Sequence, residues 1–369
     1  MLSKFTVKGF KNFGEKLELN LGHTCNYEFN ASAVKNNLVN KGMIYGFNGC
    51  GKSNLGLAIM DIVSHVTDKQ FEAWEFFPYL NLDKKVTEAS FEYTLLFQGV
   101  QVIYSYKKTA VDKLLWEKLS IGGDTVLEYD FLTNEGFVGL SGAETLKFNT
   151  PESKISRIKY IRNNAILKDT KENNIFKEFI QFADNMLLFY SLDINRYYGF
   201  KTGVGTLEST IIEAGKVQEF ETFLKDCNVD MRLSEKEIDG ERKLMAHYNN
   251  EDISFYRVAS KGTKALILFF YWYIQIEANK IPFVFMDEFD AFYHFELAEK
   301  IVELLKKFEN TQIIFTTHNT DLLSNDLLRP DCYFWLHENK ITALSDLTEK
   351  ELRKAHNLQK MFKAGAFNG

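Results

Sequence analysis

The chain has little proline and little cysteine, with 4 of each in 369 residues. So few prolines leave no room for long proline-rich linkers. Cys25, Cys50, Cys227 and Cys332 are scattered without C-x-x-C spacing, which gives no zinc site and fits a reducing compartment. No apolar run reaches the roughly 18 residues that a membrane span requires. The N-terminus alternates polar and apolar residues instead of placing a charged end before an apolar block. Secretion and membrane insertion are therefore not expected, and a cytoplasmic location is. Basic charge is in deficit as well: 44 Lys and Arg against 50 Asp and Glu give a formal net charge of −6, so no global field draws nucleic acid. The 7 histidines are dispersed, and neither an H-E-x-x-H motif nor a Ser-His-Asp arrangement is found. No repeat of roughly 20–50 residues and no long heptad run is visible.

What is abundant is aromatic and apolar mass. Thirty-three Phe, 17 Tyr and a hydrophobic content of 45% predict one large globular domain or two intimately joined ones. Period-two patterns predict strands over roughly 2–9 and 16–21, then a strand entering a glycine-rich turn and a helix from Ser53 to about Val66. Between about Ser90 and Asp130, short β segments at 91–97, 101–106 and 115–121 predict an antiparallel sheet. Helical spacing over Lys171–Leu188 and Gly215–Asp226 predicts a helical lobe. The expected fold class is α/β, with a mixed central sheet, an antiparallel β-subdomain and a helical insertion.

The glycine-rich turn, Gly46-Phe47-Asn48-Gly49-Cys50-Gly51-Lys52-Ser53, fits the phosphate loop G-x-x-x-x-G-K-[ST] at every constrained position and follows apolar Met43-Ile44-Tyr45. Its backbone N–H groups turn inward around phosphate, Lys52 reaches the β- and γ-phosphates, and Ser53 offers its hydroxyl to Mg²⁺ at a helix N-terminus. The expected cofactor-binding residues are Asn48, Gly49, Cys50, Gly51, Lys52, Ser53 and Asn54. About 230 residues later, Ile281-Pro282-Phe283-Val284-Phe285-Met286-Asp287-Glu288 is an apolar strand ending in two carboxylates. Beside a phosphate loop, Asp287 would hold the Mg²⁺ water shell and Glu288 would polarise the attacking water as general base.

With these motifs in that order, the chain resembles the ABC-type ATPase heads of the recombination and chromosome-maintenance families, and within them the overcoming-lysogenization-defect and RecF-like bacterial ATPases. Ala259-Ser260-Lys261-Gly262-Thr263 stands where that superfamily has its signature sequence, with Ala-Ser-Lys-Gly in place of Leu-Ser-Gly-Gly. The resemblance implies that Ser260 and Gly262 bind the γ-phosphate held by a second subunit, although Ser-Lys-Gly-Thr is also an ordinary helix N-cap. Ile313-Ile314-Phe315-Thr316-Thr317-His318 resembles the strand carrying the family's γ-phosphate-sensing histidine, which makes His318 catalytic with Glu288. Phe5 to Phe13 resembles the opening strand and Asn-Phe turn that approach the nucleotide. The segments after His318 resemble stand-alone ATPases of bacterial abortive-infection and other antiphage systems.

The organisation implied is 1–150 for the first half of the head with the phosphate loop and β-subdomain, 151–250 for a mainly helical lobe, and 251–369 for the second half with signature, acids and histidine. The cofactors implied are ATP and Mg²⁺, and the assembly is a homodimer or higher oligomer through ATP-sandwiched heads. The resemblance further implies a switch controlling a separate effector, a nuclease or toxin. A RecF-like DNA-binding role rests only on Lys154-Ile155-Ser156-Arg157-Ile158-Lys159-Tyr160-Ile161-Arg162, whose cations would form a basic stripe on a strand. A third reading is an ATP-held scaffold with negligible turnover. Gln98 and Gln181 are candidates by region for the family's Q-loop glutamine. The block Phe71–Leu80 reads as core or docking surface, and the tail Leu358–Gly369 as frayed or docked.

Overall fold

The computed structural model describes residues 1–69, 73–146, 155–190, 196–200, 207–249, 251–291 and 294–367. The chain opens with strands β1 (Leu2–Lys8) and β2 (Leu17–Asn20), the two-residue strands β3 (Val34–Lys35) and β4 (Leu38–Val39), and β5 (Lys41–Tyr45). Helices α1 (Lys52–Met60) and α2 (Val63–Val66) follow, then β6 (Ala89–Phe97), β7 (Val100–Ala110), β8 (Lys113–Ile121), β9 (Asp124–Asp130) and β10 (Glu135–Val138). Next come α3 (Arg157–Asn164), α4 (Lys171–Asp184), β11 (Met186–Tyr190), β12 (Arg196–Gly199), α5 (Leu207–Glu213) and α6 (Val217–Asp226). The rest comprises β13 (Leu233–Ile238), β14 (Glu241–Tyr248), β15 (Glu251–Ser254), α7 (Phe255–Val258), α8 (Lys261–Glu277) and β16 (Phe283–Asp287). It ends with α9 (Phe295–Lys306), β17 (Gln312–Thr317), β18 (Tyr333–His337), β19 (Lys340–Ala343) and α10 (Leu358–Lys363).

Two seven-stranded sheets organise this mixed α/β fold. The first is antiparallel, in the order β10-β9-β8-β7-β6-β1-β2, and the second runs β12-β11-β16-β17-β5-β18-β19. In the second sheet β11, β16, β17, β5 and β18 are parallel, and hairpin strands β12 and β19 close its edges. The parallel strands are buried throughout β5, β16 and β17, which is why they read as apolar runs without alternation. Hairpins are set by two-residue turns at Gln98-Gly99, Gly122-Gly123, Asp239-Gly240 and Glu338-Asn339. Both residues of each turn have positive φ, the geometry that matches strand twist.

The predicted helix from Ser53 to Val66 tightens at Asp61, whose N–H bonds the carbonyl of Ala58. A buried cluster surrounds that turn: Asp61 accepts from Tyr79, Tyr106 and Lys108, and Tyr106 shares a bond with Tyr93. It locks the end of α1 to the antiparallel sheet. The expected helix over 171–188 is a correction. The amphipathic part ends at Asp184, and Met186–Tyr190 becomes β11, paired in parallel with β16 from Met186↔Phe283 to Tyr190↔Asp287. Met186–Phe189 is an apolar run buried between β12 and β16, as a strand inside this sheet requires. Besides helices α3 to α6, residues 151–250 supply two strands of the second sheet, β11 and β12, and the β13–β14 hairpin.

The basic segment is also corrected. Residues 157–164 form α3, not a strand. Arg157 is fully buried, stacked 4.0 Å over the Tyr129 ring and bonded to the Tyr129 hydroxyl, Lys159 pairs with Asp68, and Arg162 pairs with Asp184. Lys154 lies outside the described residues, as do Phe71, Glu72 and the last two tail residues. Of the aromatic block, Phe76 and Tyr79 join the core, whereas Trp74 and Phe77 are exposed. The tail is docked: Phe362 of α10 packs on Tyr45 and Trp335, and Phe367 is buried. Gln98 sits on the β6–β7 turn bonded to Glu178, and Gln181 lies on α4, with its carbonyl accepting from Asn185.

Candidate active site

The phosphate loop emerges from the carboxyl end of β5 and feeds α1. At Gly51 the loop turns with φ +106°, a torsion that favours glycine, and an added Cβ would meet the Asn12 side chain at 2.3 Å and displace it. Asn12 fixes the loop from outside. Its amide donates to Cys50 O at 3.3 Å and its carbonyl accepts from Asn54 Nδ2 at 2.7 Å. The opening strand and its Asn-Phe turn thus buttress the loop. Gly56 lets α1 approach the sheet, since a Cβ there would lie 2.8 Å from the Phe285 ring. Asn48 and Gly49 are exposed, and the Cys50 thiol, half-buried, is pushed above its usual value by desolvation.

Sheet order then brings the distant acids to the loop. β17 lies between β16 and β5, so the carboxyl ends of all three strands adjoin. Ser53 Oγ donates to Asp287 Oδ2 at 2.6 Å, and Thr316 Oγ1 donates to Asp287 Oδ1 at 2.7 Å. Thr316 Oγ1 in turn accepts the backbone N–H of Glu288 at 2.9 Å. Glu288 adopts φ +49°, an unusual torsion for a side-chain-bearing residue. That bend carries its carboxylate off the strand line to Lys52 Nζ at 3.2 Å and His318 Nδ1 at 2.9 Å. Lys52 Nζ also donates to Gly46 O at 2.9 Å.

Burial sets the electrostatics. Desolvation raises the Asp287 carboxyl above its ordinary range against the lowering bonds from Ser53 and Thr316, and the neighbouring Glu288 charge adds to the rise. Asp290 is raised in the same way. Its Oδ2 accepts from Thr317 Oγ1 at 2.9 Å, and its Oδ1 has no hydrogen-bond partner among the described residues. A cation placed between Ser53 and Asp287 would favour the ionised acid. The donor set, one hydroxyl and one carboxylate, is the hard-oxygen kind that suits Mg²⁺. Among the described residues no group of three or more His, Cys, Asp or Glu side chains is arranged to hold a metal by itself.

Lys52, Ser53, Asp287, Glu288 and His318 therefore meet in one place. Ser260 and Gly262 stand apart at the start of α8. Ser260 is exposed and caps the helix, accepting from Thr263 N at 3.1 Å, so the N-cap reading of that segment holds. Sequence reasoning gave no role to Thr316, Thr317 or Asp290. The hydroxyls of Thr316-Thr317 just before His318 were the available signal, but residue type alone does not tell a bridging hydroxyl from a β-branched strand residue.

Residues 224–324 match the family model described as an AAA domain, putative AbiEii toxin, Type IV TA system. That span contains Ser260, Asp287, Glu288 and His318 but not the phosphate loop. A comparison with curated proteins finds no match. Among solved structures, the SMC head domain from Thermotoga maritima is similar at 18% identity and TM-score 0.46, covering 93% of this chain and 98% of that one. A Smc head bound to the C-terminal domain of ScpA, from Pyrococcus furiosus, is similar at 13% identity and the same TM-score of 0.46, covering 94% of this chain and 97% of that one.

Proposed function

We propose that this chain binds and hydrolyses ATP with Mg²⁺. The observation that carries the reading is the convergence of Lys52 and Ser53 with Asp287, Glu288 and His318 at the carboxyl ends of β5, β16 and β17. In this reading the loop N–H groups and Lys52 hold the phosphates, and Ser53 and Asp287 hold Mg²⁺ through direct and water-borne oxygens. Glu288 takes the proton of the attacking water, and His318 contacts the terminal phosphate. Mg²⁺ supplies charge neutralisation of the phosphate oxygens.

Exposed Ser260 and half-buried Gly262 at the head of α8 complete the site of a second copy, so two heads close around two nucleotides, as a homodimer or within a higher oligomer. The ATP-dependent closure acts as a switch on a separate effector, a nuclease or toxin, in cytoplasmic antiphage defence. The description of the matched family, which names a putative AbiEii toxin and a toxin–antitoxin system, supports that direction. The DNA-binding alternative loses its local support, because Arg157 is buried and Lys159 and Arg162 are paired.

The test is steady-state ATP turnover across a wide protein-concentration series, with Glu288→Gln as background. Activity per subunit that rises with concentration and vanishes in the variant is the expected result. Nucleotide binding without turnover at any concentration would overturn hydrolysis and favour the scaffold reading.

A further inference from the structure

Beside the phosphate loop, on the side away from the acids, lies a second feature that phosphate chemistry does not use. Phe47, the second residue of the loop, is 63% exposed. Its ring meets Trp335 edge-on, with centroids 5.2 Å apart, and His337 at 6.1 Å. Trp335 and His337, both on the same face of β18, lie nearly parallel with an interplanar angle of 13°. These rings line a cleft of about 320 Å³ whose rim carries Glu338, Lys340 and Thr342. The volume is at the small end of the range of ligand clefts, roughly 300–1,000 Å³.

Sheet order gives the cleft its place. β5 lies between β17 and β18. Asp287, Glu288, Thr316 and His318 all occupy the β16–β17 flank of the loop, whereas the aromatic rings occupy the β18 flank. A triphosphate with its terminal phosphate among the acids extends its nucleoside away from them. Both flanks are at the carboxyl ends of parallel strands, where ligands bind in open α/β sheets. Flat aromatic faces attract bases by stacking, and an acceptor, a donor and a hydroxyl on the rim match the mixed donor–acceptor edge of a purine.

We propose that the cleft of Phe47, Trp335 and His337 seats the nucleobase of the bound triphosphate. The proposal rests on the nucleotide reading of the phosphate loop and adds the part of the ligand that reading leaves unplaced.

The experiment is calorimetric titration with Mg²⁺ present, using ATP and inorganic tripolyphosphate as separate probes, on the full chain and on Trp335→Leu and His337→Ala. The unaltered protein is expected to bind ATP more tightly than tripolyphosphate by about 5- to 150-fold, the range of base–aromatic stacking. Each variant is expected to lose most of that ratio through weaker ATP binding while tripolyphosphate affinity stays within about twofold. His337 is solvent-exposed at the end of β18, so His337→Ala serves if Trp335→Leu fails to fold. An ATP-to-tripolyphosphate ratio unchanged in the folded variants would overturn the proposal and leave the phosphate reading standing. A chain that binds neither probe would overturn both.

Discussion

Lys52 Nζ lies 3.2 Å from Glu288 Oε1, with the two side chains only 4% and 10% exposed. The residue expected to grip phosphate and the residue expected to activate water therefore neutralise each other. In the proposed reaction, a terminal phosphate entering the loop would compete with Glu288 for Lys52 and so free the carboxylate for water. Substrate arrival and base activation would then be one event.

Glu288→Gln is expected to reduce turnover by at least about 100-fold while nucleotide binding persists. The variant should accumulate as an ATP-bound dimer. Light scattering at saturating ATP checks this, and a protein that stays monomeric there counts strongly against the sandwiched heads. Without nucleotide the variant should lose about 1–3 kcal/mol of stability, because Lys52 keeps only neutral acceptors. Mg²⁺-ATP at about 100 times its Kd should return roughly 2.7 kcal/mol by linkage, read as a shift of the denaturant midpoint.

His318→Ala should lower kcat on the order of 100-fold with little change in ATP affinity, since the ring is expected to act on the terminal phosphate only as charge develops. Rapid-quench turnover beside equilibrium binding separates the two effects. Equal losses in both would instead give His318 a general binding role.

Asn12→Ala should weaken nucleotide binding without unfolding the chain. The side chain ties Cys50 to Asn54 from outside the loop, so its loss frees loop torsions that binding must then fix again. Gly51→Ala should be more severe, because it strains a positive φ and pushes aside the same Asn12 side chain. Binding titrations and circular dichroism on both variants check the ordering.

Stability should depend on His65 at mildly acid pH. Burial, and after it the Lys108 charge, hold its imidazole well below the ordinary value of 6.5. The unfolded chain therefore takes up a proton that the folded chain refuses. The resulting stability is complete above 6.5 and is lost as pH falls below it toward the depressed value, at a limiting rate of about 1.4 kcal/mol per pH unit. Urea titrations from pH 7.5 to about 5 should show a shallower decline in His65→Gln, even though that variant starts less stable.

The phosphate loop, the Asp287-Glu288 strand end and His318 were legible because each motif places an unusual residue type directly after an apolar run. Asn12 was legible as a nearby residue but not as a clamp, since its contacts depend on where β1 and β2 deliver the turn. β11 was misread because Met186-Leu187-Leu188-Phe189 continues the apolar content of α4, and only a position between β12 and β16 distinguishes strand from helix. In α3 the spacing of buried Ile158 and Ile161 is helical, but the alternating Lys and Arg invited a period-two reading. Arg157 then went inward because Tyr129 offered a ring and a hydroxyl together.

β5 is held on one side by β17 and on the other by β18, both drawn from the later part of the chain. During synthesis the strand that carries the phosphate loop is made early, yet it has no neighbour in its own sheet until residues 312–317 and 333–337 have left the ribosome. The antiparallel meander β6-β7-β8-β9-β10 closes through local turns in the meantime. A ribosome-bound chain stopped before β17 would therefore carry an intact glycine-lysine sequence on a strand that has neither of its sheet neighbours.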